Sequence, residues 1–241
     1  MLFVFKRDKM QNNILEVENL TKNYKKKEVL KGVNLSLAQG EKLALIGVNG
    51  SGKTTLLEIL CGVSRKSGGT ILMPNSKNEI GYMPQTFSLF QDLTVKENLG
   101  YLAVLYGLNN DDVENIIEEC FLREKENMLA KNLSGGYKQL LSLAAAIIFK
   151  PKLLILDEPT SAMDPLFRKS FQKILQGFMK NGGSVLLTTH YMEEIDFCDK
   201  VAILSDGKIV YCDYVKNAFS QKYKNASELI FAYTRKDGYE K

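Results

Sequence analysis

The stretch Leu43-Ala44-Leu45-Ile46-Gly47-Val48-Asn49-Gly50-Ser51-Gly52-Lys53-Thr54-Thr55 decides the fold. An apolar run of strand character enters a glycine-rich turn, and Leu56-Leu57-Glu58-Ile59-Leu60 continues as a helical pattern. Strand, glycine turn and helix together are the setting a phosphate-binding P-loop requires, which lifts the motif above a chance match. The glycines let backbone N–H groups converge on phosphate oxygens where side chains would crowd them out. The helix N-terminus adds its partial positive charge. Lys53 is placed to reach β and γ phosphates, and the Thr54 hydroxyl to ligate Mg²⁺.

Downstream, Leu153-Leu154-Ile155-Leu156-Asp157-Glu158 is apolar and then abruptly acidic, a buried parallel strand with two carboxylates at its carboxyl end. Asp157 suits Mg²⁺ through the ion's water shell, and Glu158, one residue on, suits a base acting on water in line with a γ phosphate. A second buried strand, Ser184 to Thr189, ends at His190, the only histidine, on the sheet edge that carries Lys53 and Glu158. Between these strands, Leu133-Ser134-Gly135-Gly136-Tyr137 opens a long apolar helix through Phe149. Ser134 has N-cap character, and two flexible glycines ahead of a capped helix make either a second anion cradle or a loop that only starts a buried helix. Gln85 follows the short strand Glu79 to Met83, where loops carry function over a rigid sheet. Tyr24, ahead of the P-loop strand, reads equally as a surface aromatic or as a base-stacking ring.

The N-terminal part alternates apolar and polar residues in two runs, Ile14 to Leu20 and Val29 to Leu37, with a polar, lysine-rich loop from Thr21 to Glu28 between them. These runs predict antiparallel strands with one wet face. From Val95 to about Ile148 the pattern is helical without interruption. After His190 the sequence predicts a helix from Tyr191 to Cys198, a hairpin turning at Asp206-Gly207, and a tail with a helix and a short strand near Leu229 to Tyr233.

Composition narrows the function class. The 241 residues, 45% hydrophobic and 25% charged, are those of an ordinary soluble globular protein. A net charge of +4, from 32 basic and 28 acidic residues, is too small an excess to indicate a nucleic-acid partner. Cys61, Cys120, Cys198 and Cys212 lack Cys-x-x-Cys spacing, so no metal cluster is expected. They read as reduced, buried small residues of a cytoplasmic protein. Met1 to Phe5 meets Lys6-Arg7 too soon for a signal peptide or a span, and Leu140 to Phe149 is half a membrane crossing. Membrane association is therefore expected through a partner.

Taken in order, these motifs resemble the ATP-binding cassette, the nucleotide-binding domain of ABC transporters, over about Ile14 to Val210. Gly47 to Thr54 matches the Walker A loop and Leu153 to Glu158 the Walker B strand with its catalytic glutamate. Leu133 to Gly136 matches the signature loop, Gln85 the Q-loop, Ser161 to Asp164 the D-loop, His190 the switch histidine and Tyr24 the adenine-stacking aromatic. The resemblance implies an α/β fold: a P-loop NTPase core of mainly parallel strands, an N-terminal antiparallel β subdomain and an inserted α-helical subdomain. One domain over 1–241 is expected, with core and β subdomain at 14–94 and 150–212, the helical subdomain at 95–149 and an extension at 213–241. ATP and Mg²⁺ are the implied cofactors. The implied nucleotide contacts are Tyr24, Gly47, Asn49, Gly50, Ser51, Gly52, Lys53, Thr54, Thr55, Ser134, Gly135 and Gly136. Thr54, Gln85 and Asp157 are the implied metal ligands; Glu158, His190, Lys53 and Gln85 are the implied catalytic set.

Some positions depart from the pattern. Tyr137 stands where glutamine is usual, Leu140 where arginine is usual, and Met163 where leucine is usual. The family implies a head-to-tail dimer, with itself or a second cassette, in which Ser134 and Gly136 serve the partner's nucleotide. It also implies an integral membrane permease, received near Gln85 to Leu99, that holds the chain on the inner face of the cell membrane. The run Leu187 to Glu194 resembles the branch that powers drug, lipid, polysaccharide and sodium exporters. The alternative is a cytoplasmic cassette ATPase without a permease, acting as an assembly or regulatory factor.

Overall fold

The computed structural model describes residues 13–25, 27–74, 79–161, 163–219, 223 and 225–234, so the Met1–Lys9 stretch lies outside the described residues. In chain order the elements are β1 (Asn13–Tyr24), β2 (Lys27–Ala38), β3 (Lys42–Ile46), α1 (Lys53–Leu60), β4 (Gly68–Leu72), β5 (Ile80–Met83), α2 (Val95–Tyr106) and α3 (Asn110–Glu119). They continue as α4 (Gly135–Ile147), β6 (Leu153–Asp157), α5 (Pro165–Lys180), β7 (Ser184–Thr188), α6 (Met192–Phe197), β8 (Lys200–Ser205), β9 (Lys208–Tyr214), α7 (Val215–Ala218) and α8 (Ala226–Thr234). They group into two compact units, one from the described residues up to Pro74 together with those from Ser184 on, the other from Glu79 to Gly183.

The first unit holds two sheets. One is antiparallel, in the order β2-β1-β4. Leu15 and Val17 are buried at strand spacing, but the next buried residue is Leu20, three positions on. The extra residue is a bulge: Asn19 has φ 49, and the β1–β2 register shifts between Val17/Leu35 and Leu20/Val33. Opposite it in β4 stands Gly69 at φ 86, where a Cβ would lie 2.4 Å from the Asn19 carbonyl oxygen. Within Thr21 to Glu28, expected as a turn or loop, β1 runs on to Tyr24 and β2 starts at Lys27, pairing Asn23 with Glu28 and Tyr24 with Lys27. Its lysines disguised it: Lys22 is buried yet carries its ammonium to the Arg65 carbonyl.

The second sheet of this unit runs β7-β3-β8-β9. β3 is flanked by parallel β7 and β8, and is fully buried from Leu43 to Ile46, as a strand covered on both faces must be. β8 and β9 join through Asp206 (φ 43) and Gly207 (φ 75), the two left-handed residues of a type I′ hairpin. The tail corrects one expectation. Leu229 to Tyr233 is helix α8, not a strand, because Ala226 and Leu229 bury one helical face despite the β-branched and aromatic residues around them.

The second unit is built on the parallel pair β5–β6 with α2 to α5. α2 and α3 open on full capping boxes, Thr94 with Glu97 and Asn109 with Asp112. α5 starts with Asp164 as N-cap and Pro165 in the first turn. Cys120 and Cys198 are buried, and burial holds both thiols above their ordinary range. Cys61 is half-buried and Cys212 exposed, so the expectation of four buried cysteines fails for these two; Cys212 points outward from β9, whose residues alternate between exposed and half-buried. No helix among the described residues is long and apolar enough to cross a membrane.

Candidate nucleotide site

In the first unit, β3 feeds directly into the glycine loop, and close packing leaves no room for side chains at two of its glycines. A Cβ on Gly47 would lie 2.2 Å from the Leu204 carbonyl oxygen. Gly52, the N-cap of α1, has φ 108, and its Cβ would lie 2.8 Å from Leu30 Cδ2. Gly50, at φ 79, faces open space with Val48 and Asn49 exposed beside it. Between the packed glycines, Ser51 is 4% exposed and its hydroxyl has no hydrogen-bond partner among the described residues. Its backbone is held from both sides: its N–H donates to Val48 O (3.2 Å) and its carbonyl accepts from Gly207 N–H (3.2 Å).

Lys53 starts α1, is 7% exposed, and its Nζ donates to the carbonyls of Gly47 (2.8 Å) and Val48 (3.3 Å). The cation is therefore folded over the loop's own oxygens. α1 has no acidic residue in its first turn, so nothing on the helix offsets its positive end. Thr54 is exposed on that turn and Thr55 half-buried. A buried hydroxyl without a partner, a lysine over carbonyls and a bare helix N-terminus suit an anion with several acceptor oxygens, as a nucleotide's phosphates have.

Two further expected residues belong to this unit. Thr188 pairs with Leu45 in the parallel β7–β3 ladder, so His190 and Gly47 each follow by two residues at the same sheet edge. His190 is exposed, its ring 5.5 Å from that of Tyr191. Tyr24 ends β1 with its ring 45% exposed. Its hydroxyl lies 3.3 Å from Ser64 Oγ, in the loop after α1, and Lys22 Nζ lies 4.4 Å from its ring centroid. The lysine on the same strand face, two residues before the ring, escaped the sequence reading although its spacing carried the signal.

In the second unit, the register Met83–Leu156 carries Gln85 and Glu158 past adjacent strand ends. Gln85 Nε2 donates to Glu158 Oε2 at 3.0 Å. Asp157, the last residue of β6, is 1% exposed. Glu158 takes φ 48, a left-handed conformation that a non-glycine residue adopts at a cost, and its carbonyl accepts from Ser161 N–H at 3.3 Å. That turn takes the chain out of the strand direction directly after Asp157.

Ser134 to Gly136 lie at the start of α4. Ser134 occupies the N-cap position, but its side chain makes no capping hydrogen bond, and the glycines form the first turn instead of a linker ahead of it. Ser134 and Gly135 are exposed; Gly136 is buried against the ring of Phe167. Phe167 carried no sequence signal, since only the docking of α5 brings it to α4.

Comparisons with known proteins identify the family. Residues 30–161 match the model of the ABC transporter family. The linearmycin resistance ATP-binding protein LnrL of Bacillus subtilis (strain 168) is 34% identical over 211 residues, 82% of this chain and 68% of that protein. The spermidine/putrescine import ATP-binding protein PotA of Spiroplasma citri is 38% identical over 216 residues, 83% of this chain and 61% of that protein. The chain thus spans about two thirds of the length of these relatives. A solved structure of the ATP-binding subunit of an ABC transporter superposes with a TM-score of 0.82 at 27% identity, over 91% of this chain and 98% of that one. The chain has the mixed α/β P-loop ATPase fold and belongs to the ABC transporter family, as an ATP-binding and ATP-hydrolysing cassette.

Proposed function

We propose that the chain is the ATPase subunit of an exporter, coupling ATP-driven dimer closure to movement of a separate membrane permease. The observation that carries the reading is the phosphate cradle, in which the unpartnered Ser51 hydroxyl and Lys53 are held by glycines that tolerate no side chain. On this reading Gly47 to Thr55 bind the phosphates through backbone N–H groups, Ser51 and Lys53, and Tyr24 stacks on the base. Lys53 exchanges its bonds to the Gly47 and Val48 carbonyls for phosphate oxygens. Glu158 takes the proton of the attacking water, Gln85 orients that carboxylate, and His190 hydrogen-bonds the γ phosphate or its water. No group of three or more His, Cys, Asp or Glu among the described residues could hold a metal ion by itself. Thr54, Gln85 and Asp157 are the oxygen donors that would hold Mg²⁺ together with phosphate oxygens, and the ion would supply neutralisation of charge on the transferring group.

Ser134 to Gly136 complete the site of a second subunit in a head-to-tail dimer. ATP binding closes the pair, hydrolysis reopens it, and the permease follows. The Gln85 to Leu99 region and the start of the helical subdomain receive that permease, which holds the chain at the inner face of the membrane. The export direction rests on the run Leu187 to Glu194; the relatives named above include one for resistance and one for import. The test is purification of the tagged chain from detergent-solubilised membranes. Recovery with an integral membrane protein that cross-links to cysteines introduced between Gln85 and Leu99 is expected. Recovery only in complexes free of membrane proteins would overturn the coupling and favour a permease-free ATPase.

A further inference from the structure

The first turn of α4 lacks the devices that usually fix a helix start. Ser134 makes no capping hydrogen bond, and no acidic residue follows it in that turn. A side chain of α5 holds it instead. A Cβ on Gly136 would lie 2.6 Å from Phe167 Cγ, so the glycine seats directly on the ring. Tyr137, standing where glutamine is usual, meets the same ring edge to face, with centroids 5.0 Å apart and planes at 78°. Lys125 Nζ approaches Tyr137 at 5.7 Å from its centroid.

Phe167 is itself anchored. Its N–H donates to the Asp164 carboxylate at 3.0 Å, and that of Leu166 to the same oxygen at 2.9 Å. The chain of contacts runs from the N-cap of α5, through one aromatic ring, to the turn that displays Ser134 and Gly135 to solvent.

We infer that Phe167 is a positioning residue: with Tyr137 it holds the Ser134–Gly136 turn in the geometry that grips a second subunit's nucleotide, doing the work of the missing cap. The inference rests on the reading of that turn as a contact across a dimer of two copies.

The test uses the full chain carrying Glu158→Gln, which holds ATP without turning it over on the proposed roles. ATP-dependent dimerisation is followed by sedimentation, ATP binding to the monomer with a fluorescent analogue, and stability by thermal melting. Phe167→Ala is expected to weaken dimerisation about tenfold, near the upper end for a lost aromatic pair, with monomer binding of the analogue within about twofold. Phe167→Tyr, which keeps the ring, should restore dimerisation to within about threefold. Ile174→Ala, a buried position further along α5, controls for general loosening and should melt earlier while dimerising normally. If Phe167→Ala does not fold, Phe167→Leu takes its place with the same expectations. Unchanged dimerisation in Phe167→Ala, equal weakening by Ile174→Ala at matched melting temperature, or failure of Phe167→Tyr would each overturn the inference. Absence of an ATP-dependent dimer in the parent Glu158→Gln chain would overturn the reading beneath it, a separately visible result.

Discussion

Ser51 concentrates the conflict between folding and binding into one hydroxyl. A buried polar group without a partner costs about 1–3 kcal/mol, and on the proposed reading the nucleotide repays it. Ser51→Ala should therefore raise the melting temperature of the nucleotide-free chain, by about 1 kcal/mol of stability, while weakening ATP binding about tenfold. Melting with and without ATP reads both effects; a fall in nucleotide-free stability would contradict them. Gly47 shows the opposite logic. With 2.2 Å between a Cβ and Leu204 O, Gly47→Ala should destabilise the chain by about 1–3 kcal/mol before any nucleotide is added, as thermal melting would show. The residues of the proposed phosphate loop stand together in the sequence because their spacing is local. Lys22 over Tyr24 and Phe167 under Gly136 were not legible there, since such contacts depend on how separate segments dock.

Among the elements, the buried strands β3, β6 and β7 were legible because an unbroken apolar run has few other readings. The end of β1 was hidden by Lys22, which is buried with its ammonium on the Arg65 carbonyl, and α8 by residues of strand propensity on a helical face. The bulge at Asn19 had no local signature either, yet it fixes what β4 must carry. Gly69→Ala should cost about 2 kcal/mol in thermal melting by driving a methyl into the Asn19 carbonyl. In the helical unit, Arg123 binds Glu114 (2.7 Å), Glu118 (2.6 Å) and Glu126 (2.5 Å), while Lys96 binds Glu114 at 2.6 Å. Lys96, and then Arg123, hold the Glu114 carboxyl below its ordinary range. A depressed folded-state pKa contributes stability above the ordinary glutamate range and loses it as pH falls through the folded value. Glu114→Gln should thus make melting temperature less sensitive to acid below that range, by a small amount because the pairs are exposed. An identical acid slope would remove the cluster from the account of stability.

For the whole molecule, the fold followed from one loop and the strands that flank it, and family membership from the order of the motifs. The direction of transport is set by nothing in the phosphate loop or the carboxylates, and the relatives named include both resistance and import proteins. What the chain does carry is a carboxylate beyond a buried strand, turned by a left-handed residue and hydrogen-bonded by Gln85. Its proposed role as base is the centre of the hydrolytic reading. The most direct test is steady-state ATP hydrolysis by the chain carrying Glu158→Gln beside the unsubstituted chain. Turnover should fall by about a hundredfold or more while ATP-dependent dimers remain detectable by sedimentation; turnover equal to that of the unsubstituted chain would contradict the assignment.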